Sequence, residues 1–93
     1  MESRIELAKK IIRQEAEVVA SVADRIGESL DTVVDIMLNL PGRVVTTGMG
    51  KAGIIAEKAS ATFASTGTPS IFLHPAEAVH GDLGCLDSSD VVL

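Results

Sequence analysis

Aromatic residues are nearly absent from this chain, which has two phenylalanines and neither tryptophan nor tyrosine among its 93 residues. Proteins that bind single-stranded nucleic acid stack its bases on exposed aromatic rings, so the sequence argues against that class of function. The net charge of −5 argues in the same direction, because an acidic chain is repelled by nucleic acid and by anionic membranes. We therefore expect neither nucleic acid nor a membrane as a partner.

Cysteine occurs once, at Cys85, so the chain cannot form an internal disulfide and a reducing compartment is favoured. No apolar run reaches the length of about 20 residues that a membrane-spanning helix needs. The charged N-terminus also lacks the apolar core of a signal peptide, and we therefore expect a cytoplasmic location. Residues 90–93 predict the start of a strand, and an open apolar edge invites pairing, so we expect a piece of a longer protein.

The spacing of the apolar residues predicts helices that alternate with short strands, which is the pattern of a parallel α/β sheet. The predicted helices are 2–26, 30–38, 51–66 and 75–79, and the predicted strands are 43–47, 70–73 and 90–93. Residues 1–42 thus form a helical segment, and residues 43–93 form the beginning of the sheet.

Three details of the helices are predicted as well. Ser29 or Asp31 is expected to cap the second helix, because a short polar side chain satisfies the free N–H groups there. The third helix is expected to turn one side towards the sheet, namely Ile55, Ala59, Thr62 and Phe63. The first helix has so much apolar surface that we expect it to pack against another subunit.

The stretch V-V-T-T-G-M-G-K-A-G at residues 44–53 predicts a buried strand, a glycine turn and the start of a helix. The free N–H groups of that helix, together with Lys51, suit a phosphate or another anion. Alternatively, the glycines serve only a tight connection. Gly48, Gly50 and Gly53 match the G-x-G-x-x-G fingerprint of dinucleotide-binding domains, although the next strand ends without the acidic residue that this fingerprint requires.

Polar residues follow the third helix and the second strand. The stretch S-T-G-T-P at 65–69 offers hydroxyls that either bond a sugar or cap the helix. His74 follows a strand end, where parallel sheets bind ligands, and His80 lies six positions on, near Glu77 and Asp82. Imidazoles transfer protons near neutral pH, and two of them with a carboxylate can hold zinc. Histidines that simply bond to the backbone of a loop are the alternative.

Three stretches together resemble the sugar isomerase (SIS) domain of arabinose-5-phosphate isomerases: G-M-G-K-A-G at 48–53, A-S-T-G-T-P at 64–69 and H-P-A-E-A-V-H-G-D-L-G at 74–84. The resemblance is ungapped over residues 43–93 and corresponds to the N-terminal half of such a domain. It implies a three-layer α/β/α fold of flavodoxin-like type and a homotetramer. It also implies interconversion of D-arabinose 5-phosphate and D-ribulose 5-phosphate, at the entry to Kdo and lipopolysaccharide synthesis, with no cofactor.

The resemblance also implies site residues. Lys51 and His80 would be catalytic, and the residues that bind the substrate would be Gly50, Lys51, Ser65, Gly67, Thr68, His74 and His80. The position of His74 is also one where zinc can bind and inhibit. Isomerisation passes through an enediolate, so Lys51 would stabilise an anionic oxygen while His80 positions the sugar or transfers a proton.

The sequence departs from the family at Ala52, where the family usually has serine. It also lacks the serine-rich phosphate loop, the glutamates and the later histidine, so these 93 residues alone are expected to be inactive. Two further interpretations stay open at this point. The chain could belong to a domain that senses a sugar phosphate without converting it, or it could be an oligomerisation segment driven by the first helix.

Overall fold

The computed structural model describes all 93 residues, with four α-helices and three β-strands. The helices are α1 (Arg4–Val22), α2 (Glu28–Leu38), α3 (Gly50–Ser65) and α4 (Pro75–Val79), and the strands are β1 (Val44–Thr46), β2 (Ser70–Phe72) and β3 (Val91–Val92). Single 3₁₀ turns occupy Ala23–Arg25 and Asp82–Cys85. The chain divides into two compact units, Met1–Val34 and Asp35–Leu93. None of the helices is long and apolar enough to span a membrane.

The first unit is helical. The side chain of Ser3 accepts the Glu6 N–H at 3.1 Å and so begins α1. The second helix, α2, begins two residues earlier than its apolar pattern suggested, since the carbonyl of Gly27 already accepts the Leu30 N–H at 3.0 Å. Ser29 therefore lies within the first turn of α2, as does Asp31, and the prediction that either caps this helix is wrong.

The second unit contains a three-stranded sheet in the order β2-β1-β3. All strand pairs are parallel, as the helix–strand alternation predicted, and Val44 lies opposite both Ser70 and Val91. The central strand is fully buried, because β2 and β3 flank it and α3 packs against it. The predicted α/β class with a partial parallel sheet is therefore confirmed.

Hydroxyl groups fix α3 on the sheet. Thr46 Oγ1 donates to the carbonyl of Ala56 at 2.7 Å. Ser60 donates to the Ser70 hydroxyl at 2.9 Å, because the proton of Ser70 is already donated to the Val44 carbonyl at 2.7 Å. Each bond joins two elements, so together they determine which side of α3 faces the strands.

The side of α3 that meets the sheet differs in part from the predicted one. Gly53 and Ser60 are buried, whereas Ile55 is 67% exposed and Thr62 is also exposed. The prediction that Ile55 and Thr62 face the sheet is therefore wrong. The apolar pattern favoured Ile55, but small residues let the helix approach the strands closely. Packing distance and the serine and threonine bonds therefore outweigh hydrophobicity in this helix.

Candidate functional site

The residues that the sequence singled out lie at two opposite edges of the sheet. Because β1 and β2 are parallel, their carboxyl ends meet at one edge, where Lys51 and His74 follow them. At the other edge, the carbonyl of Pro69 accepts the Val44 N–H at 2.9 Å, where both strands begin. Residues 65–68 precede Pro69 and therefore lie at this second edge, at the far end of a helix that is about 24 Å long.

The turn between β1 and α3 requires glycine for two separate reasons. A Cβ atom on Gly53 would lie 2.6 Å from the carbonyl oxygen of Gly48, and one on Gly48 would lie 2.8 Å from the carbonyl carbon of Ala52. Gly50 has φ +59°, which side chains rarely adopt. The G-x-G-x-x-G spacing is thus explained by the packing of the turn on α3, and the dinucleotide interpretation gains nothing from it.

The N-terminus of α3 is open to an anion. Its N-cap residue, Met49, provides no side-chain hydrogen bond, and no acidic residue lies in the first turn. The first N–H groups of a helix have no partner within the helix and carry a partial positive charge. Lys51 is exposed beside them, and the two ion pairs of the structure involve other residues. This end of α3 therefore presents amide donors and a full positive charge at the carboxyl edge of the sheet.

The imidazole of His74 begins α4. Its Nδ1 accepts the Ala76 N–H at 3.1 Å, and its ring stands perpendicular to that of Phe72 with centroids 6.3 Å apart. Because Nδ1 acts as the acceptor, the proton of the neutral ring belongs on Nε2, which leaves His74 with one N–H donor for a ligand.

Zinc at His74 would have fewer than three protein ligands here. No group of three His, Cys, Asp or Glu side chains that could hold a metal occurs in the structure. A metal on Nε2 would also require the proton to move to Nδ1, which would remove the bond to the Ala76 N–H. The zinc prediction therefore stays a prediction.

His80 lies at the opposite end of α4 from His74. It is the C-cap residue, and its N–H donates to the carbonyl of Glu77 at 3.1 Å. The side chain is exposed, and the following Gly81 has φ +121°, which turns the chain away from the helix. The structure thus brings His74 close to the glycine turn, while His80 stays outside the cleft described next.

A cleft of about 280 Å³ opens between α3 and the end of β2, at the edge that carries Lys51. Its walls are Gly48, Gly50, Gly53, Ile54, Glu57, Phe72 and His74. Two predicted substrate-binding residues, Gly50 and His74, are among them. Glu57 was missed by the sequence analysis, although a helix that begins at Gly50 repeats every three to four residues and so places Glu57 on the same side.

The other predicted substrate-binding residues, Ser65, Gly67 and Thr68, lie at the edge of the sheet where β1 and β2 begin. Gly67, with φ +98°, ends α3, and the Thr68 N–H donates to the carbonyl of Phe63 at 2.9 Å. Ser65 bonds the Thr62 carbonyl at 3.0 Å. Gly67 and Thr68 line a separate cavity of about 230 Å³, shared with Met37, Leu38, Leu40, Gly42 and Pro69. These residues cap the helix here and do not meet Lys51 or His74.

A family model described as the SIS domain matches residues 37–93. The arabinose 5-phosphate isomerase KdsD of Pseudomonas aeruginosa is 48% identical over 89 residues, which are 96% of this chain and 27% of that protein. The arabinose 5-phosphate isomerase GutQ of Escherichia coli K12 is 41% identical over 92 residues, or 99% of this chain and 29% of that protein. The chain thus spans little more than a quarter of these relatives.

A solved structure has the same fold. The protein c3406 of Escherichia coli CFT073, in complex with arabinose 5-phosphate, superposes with a TM-score of 0.89 at 45% sequence identity. The superposition covers 99% of this chain and 50% of that one. The elements described above therefore correspond to half of the chain in that solved structure.

Proposed function

Since the chain belongs to the SIS domain family, we propose that it is part of an isomerase that interconverts D-arabinose 5-phosphate and D-ribulose 5-phosphate. Relatives named arabinose 5-phosphate isomerase, at 41% and 48% identity, support this activity, and so does a similar structure in complex with arabinose 5-phosphate. The observation that carries the proposal is the position of Lys51 and the open N-terminus of α3 beside the cleft with His74. The activity would belong to the whole protein.

The reaction needs charge stabilisation more than covalent chemistry. A base removes the proton from C2 of the aldose, and the C2–H electrons form the C1–C2 double bond of an enediolate. The negative charge develops on O1, where Lys51 and the amide donors of α3 would stabilise it. The proton then returns to C1 while the proton of the C2 hydroxyl passes to O1, so that O1 becomes a hydroxyl and C2 becomes the carbonyl of the ketose. His80 is proposed to position the sugar or to transfer a proton.

We propose that the complete protein is a homo-oligomer, with the tetramer that the family resemblance implies. Gly67 and Thr68 are separated from Lys51 by the length of α3, about 24 Å, so one copy cannot bring them to one small sugar. In an oligomer these residues could contact the sugar that a neighbouring copy holds. Sedimentation equilibrium of the complete protein tests this, and a monomer at assay concentrations would contradict it.

A cytoplasmic location is proposed as well. The single cysteine supports it, because the chain contains no pair that could form a disulfide. Fractionation of cells that express the complete protein provides the test, and recovery in an extracellular or envelope fraction would contradict the proposal.

Replacement of Lys51 by alanine tests the isomerase function. In the complete protein, formation of D-ribulose 5-phosphate from D-arabinose 5-phosphate should lose about 100-fold in kcat/KM, as for removal of one donor to a developing oxyanion. Lys58→Ala is the matched control, since Lys58 is an exposed lysine of the same helix that does not line the cleft. Full activity of Lys51→Ala would contradict the assigned role. A wild-type protein that binds the sugar phosphate without converting it would be a sensor.

A further inference from the structure

Glu57 lies on the one side of α3 that forms a wall of the cleft. Gly50, Gly53, Ile54 and Glu57 follow one another at helical spacing and all line the cleft, so they form a continuous stripe over the first two turns. Glu57 is the last of them, about 10 Å along the axis from Gly50. The cleft therefore extends from the positive end of the helix to a carboxylate.

The carboxylate of Glu57 has no hydrogen-bond or ion-pair partner among these 93 residues. The ion pairs of the structure are Lys9–Glu6 and Arg43–Asp90, and no side-chain hydrogen bond reaches Glu57. The opposite wall offers the aromatic ring of Phe72 and the Nε2–H donor of His74. A free acceptor and a free donor, separated by apolar surface, match a chain of carbon atoms that carry hydroxyls.

A phosphate fits that part of the cleft poorly. A carboxylate repels a phosphate dianion and can only accept hydrogen bonds, whereas sugar hydroxyls donate them. Lys51 and the amides of α3, which are proposed to stabilise the charge on O1, lie at the other end of the stripe. The electrostatics of the cleft therefore favour one orientation of a bound sugar phosphate, with the C1 end of the sugar towards Lys51 and its hydroxyls towards Glu57.

We propose that Glu57 is a specificity-determining residue that accepts hydrogen bonds from the hydroxyls of the sugar. The uncharged, hydroxylated part of the substrate then lies against Glu57 and Phe72, and the phosphate lies outside this part of the cleft. The inference rests on the proposed function for the identity of the sugar. It adds a residue and an orientation that the sequence analysis did not contain.

The test measures, in the complete protein, the binding of the polyol part and of the phosphate part of the substrate separately. Glu57→Leu keeps the size of the side chain and favours the helix but removes both acceptor oxygens. D-Arabinitol, an uncharged open-chain polyol, and inorganic phosphate serve as competitive inhibitors. Glu57→Leu should raise the inhibition constant of D-arabinitol and the KM for D-arabinose 5-phosphate about tenfold, as for loss of a hydrogen bond to a charged acceptor. The inhibition constant of phosphate should change less than twofold.

Two comparisons make the result interpretable. Glu17→Gln, at an exposed glutamate of α1 that does not line the cleft, should leave all three constants unchanged. Glu57→Gln keeps one acceptor oxygen. Its inhibition constant for D-arabinitol and its KM should therefore lie between those of Glu57→Leu and the wild type. Unchanged D-arabinitol inhibition in Glu57→Leu, or a phosphate inhibition constant that falls tenfold, would overturn the proposal, because Glu57 would then only repel the phosphate.

A wrong role for Glu57 can be distinguished from a wrong assignment of the isomerase activity. If the wild-type protein does not convert D-arabinose 5-phosphate, the same pair of probes is titrated by nuclear magnetic resonance in place of the kinetic assay. Weaker D-arabinitol binding in Glu57→Leu would then support the role of Glu57 without an isomerase. Equal binding in both proteins would refute that role, whether or not the enzyme is active.

Discussion

Asp90 connects β3 to the start of β1. Its carboxylate accepts the backbone N–H of Arg43 at 2.7 Å, the N–H of Asp87 at 2.9 Å and the Arg43 guanidinium at 3.3 Å. The side chain is only 3% exposed. The two bonds from Arg43 join residues that are 47 positions apart, and the same guanidinium also donates to the carbonyl of Cys85 at 2.6 Å. One carboxylate thus fixes the loop before β3 to the central strand.

The stability of this connection should depend on pH. The N–H of Arg43, followed by that of Asp87 and the Arg43 guanidinium, lowers the pKa of Asp90 below its ordinary value of 3.8. Because the ionised form is favoured in the folded state, its contribution is complete above about pH 4 and is lost as the pH falls through the lowered pKa. Asp90→Asn should therefore lower the urea midpoint at pH 7, and the difference from wild type should shrink towards pH 2.

A carboxylate that is not bonded provides the comparison. Asp82→Asn, in the exposed turn before Cys85, makes the same chemical change without removing a side-chain hydrogen bond and should leave the midpoint unchanged at both pH values. If the difference in urea midpoint between Asp90→Asn and wild type stayed constant from pH 7 to pH 2, the lost interaction would not depend on the charge of Asp90.

Single residues of the site differed in how far the sequence could predict them. The motif placed Lys51 and His74 after two strands, and parallel pairing brought both to one edge. The sequence could not show that His74 uses Nδ1 to begin α4, since that depends on the rotamer of the ring. Glu57 carried no motif, and only the position of β2 beside α3 makes its side of the helix a cleft wall.

Among the elements, helices were predicted more reliably in their existence than in their ends and faces. The apolar repeat predicted α2, but its first turn depends on backbone bonds to Gly27, which a hydrophobic pattern does not reveal. In α3 the same repeat selected Ile55, whereas contact with the strands required the smaller Gly53 and Ser60. Apolar periodicity predicts a helix, and the depth of contact decides which side is buried.

The contact between α3 and the glycine turn leads to a prediction for Gly53. In an open helix, Gly→Ala stabilises by up to about 1 kcal/mol. Here the new Cβ would lie 2.6 Å from the Gly48 carbonyl oxygen, which is backbone, so the turn must shift. Gly53→Ala should therefore destabilise the protein by about 1–3 kcal/mol, the usual range for overpacking. Urea unfolding measures this.

Gly84→Ala is the comparison for this contact, because a Cβ there meets nothing within 4 Å and its φ is not positive. Its unfolding free energy should stay close to that of the wild type. A stabilised Gly53→Ala would show that the turn moves away from α3 without cost, and the explanation of the G-x-G-x-x-G spacing by packing would then be wrong.

At the scale of the whole chain, little apolar surface is covered. The buried apolar side chains are Val44, Val45 and Leu73, whereas 21 large apolar side chains are exposed, many of them on α1 and α2. Burial of apolar surface is the main favourable contribution to folding, so these 93 residues have a small core for their length. The match to half of the solved SIS chain agrees with this, because a sheet of this class is covered by helices on both faces.

The 93 residues expressed alone should therefore have no isomerase activity. The cleft with Lys51 and His74 is present, but the proposed site lacks the serine-rich loop and the later histidine that the family resemblance assigns to it. The exposed apolar side chains should also make the isolated chain bind a hydrophobic dye strongly. The complete protein, assayed in parallel at equal molar concentration, should convert D-arabinose 5-phosphate and bind little dye. Turnover by the isolated chain would place the whole catalytic apparatus within these residues, and the base would then have to be sought among Glu57, His74 and His80.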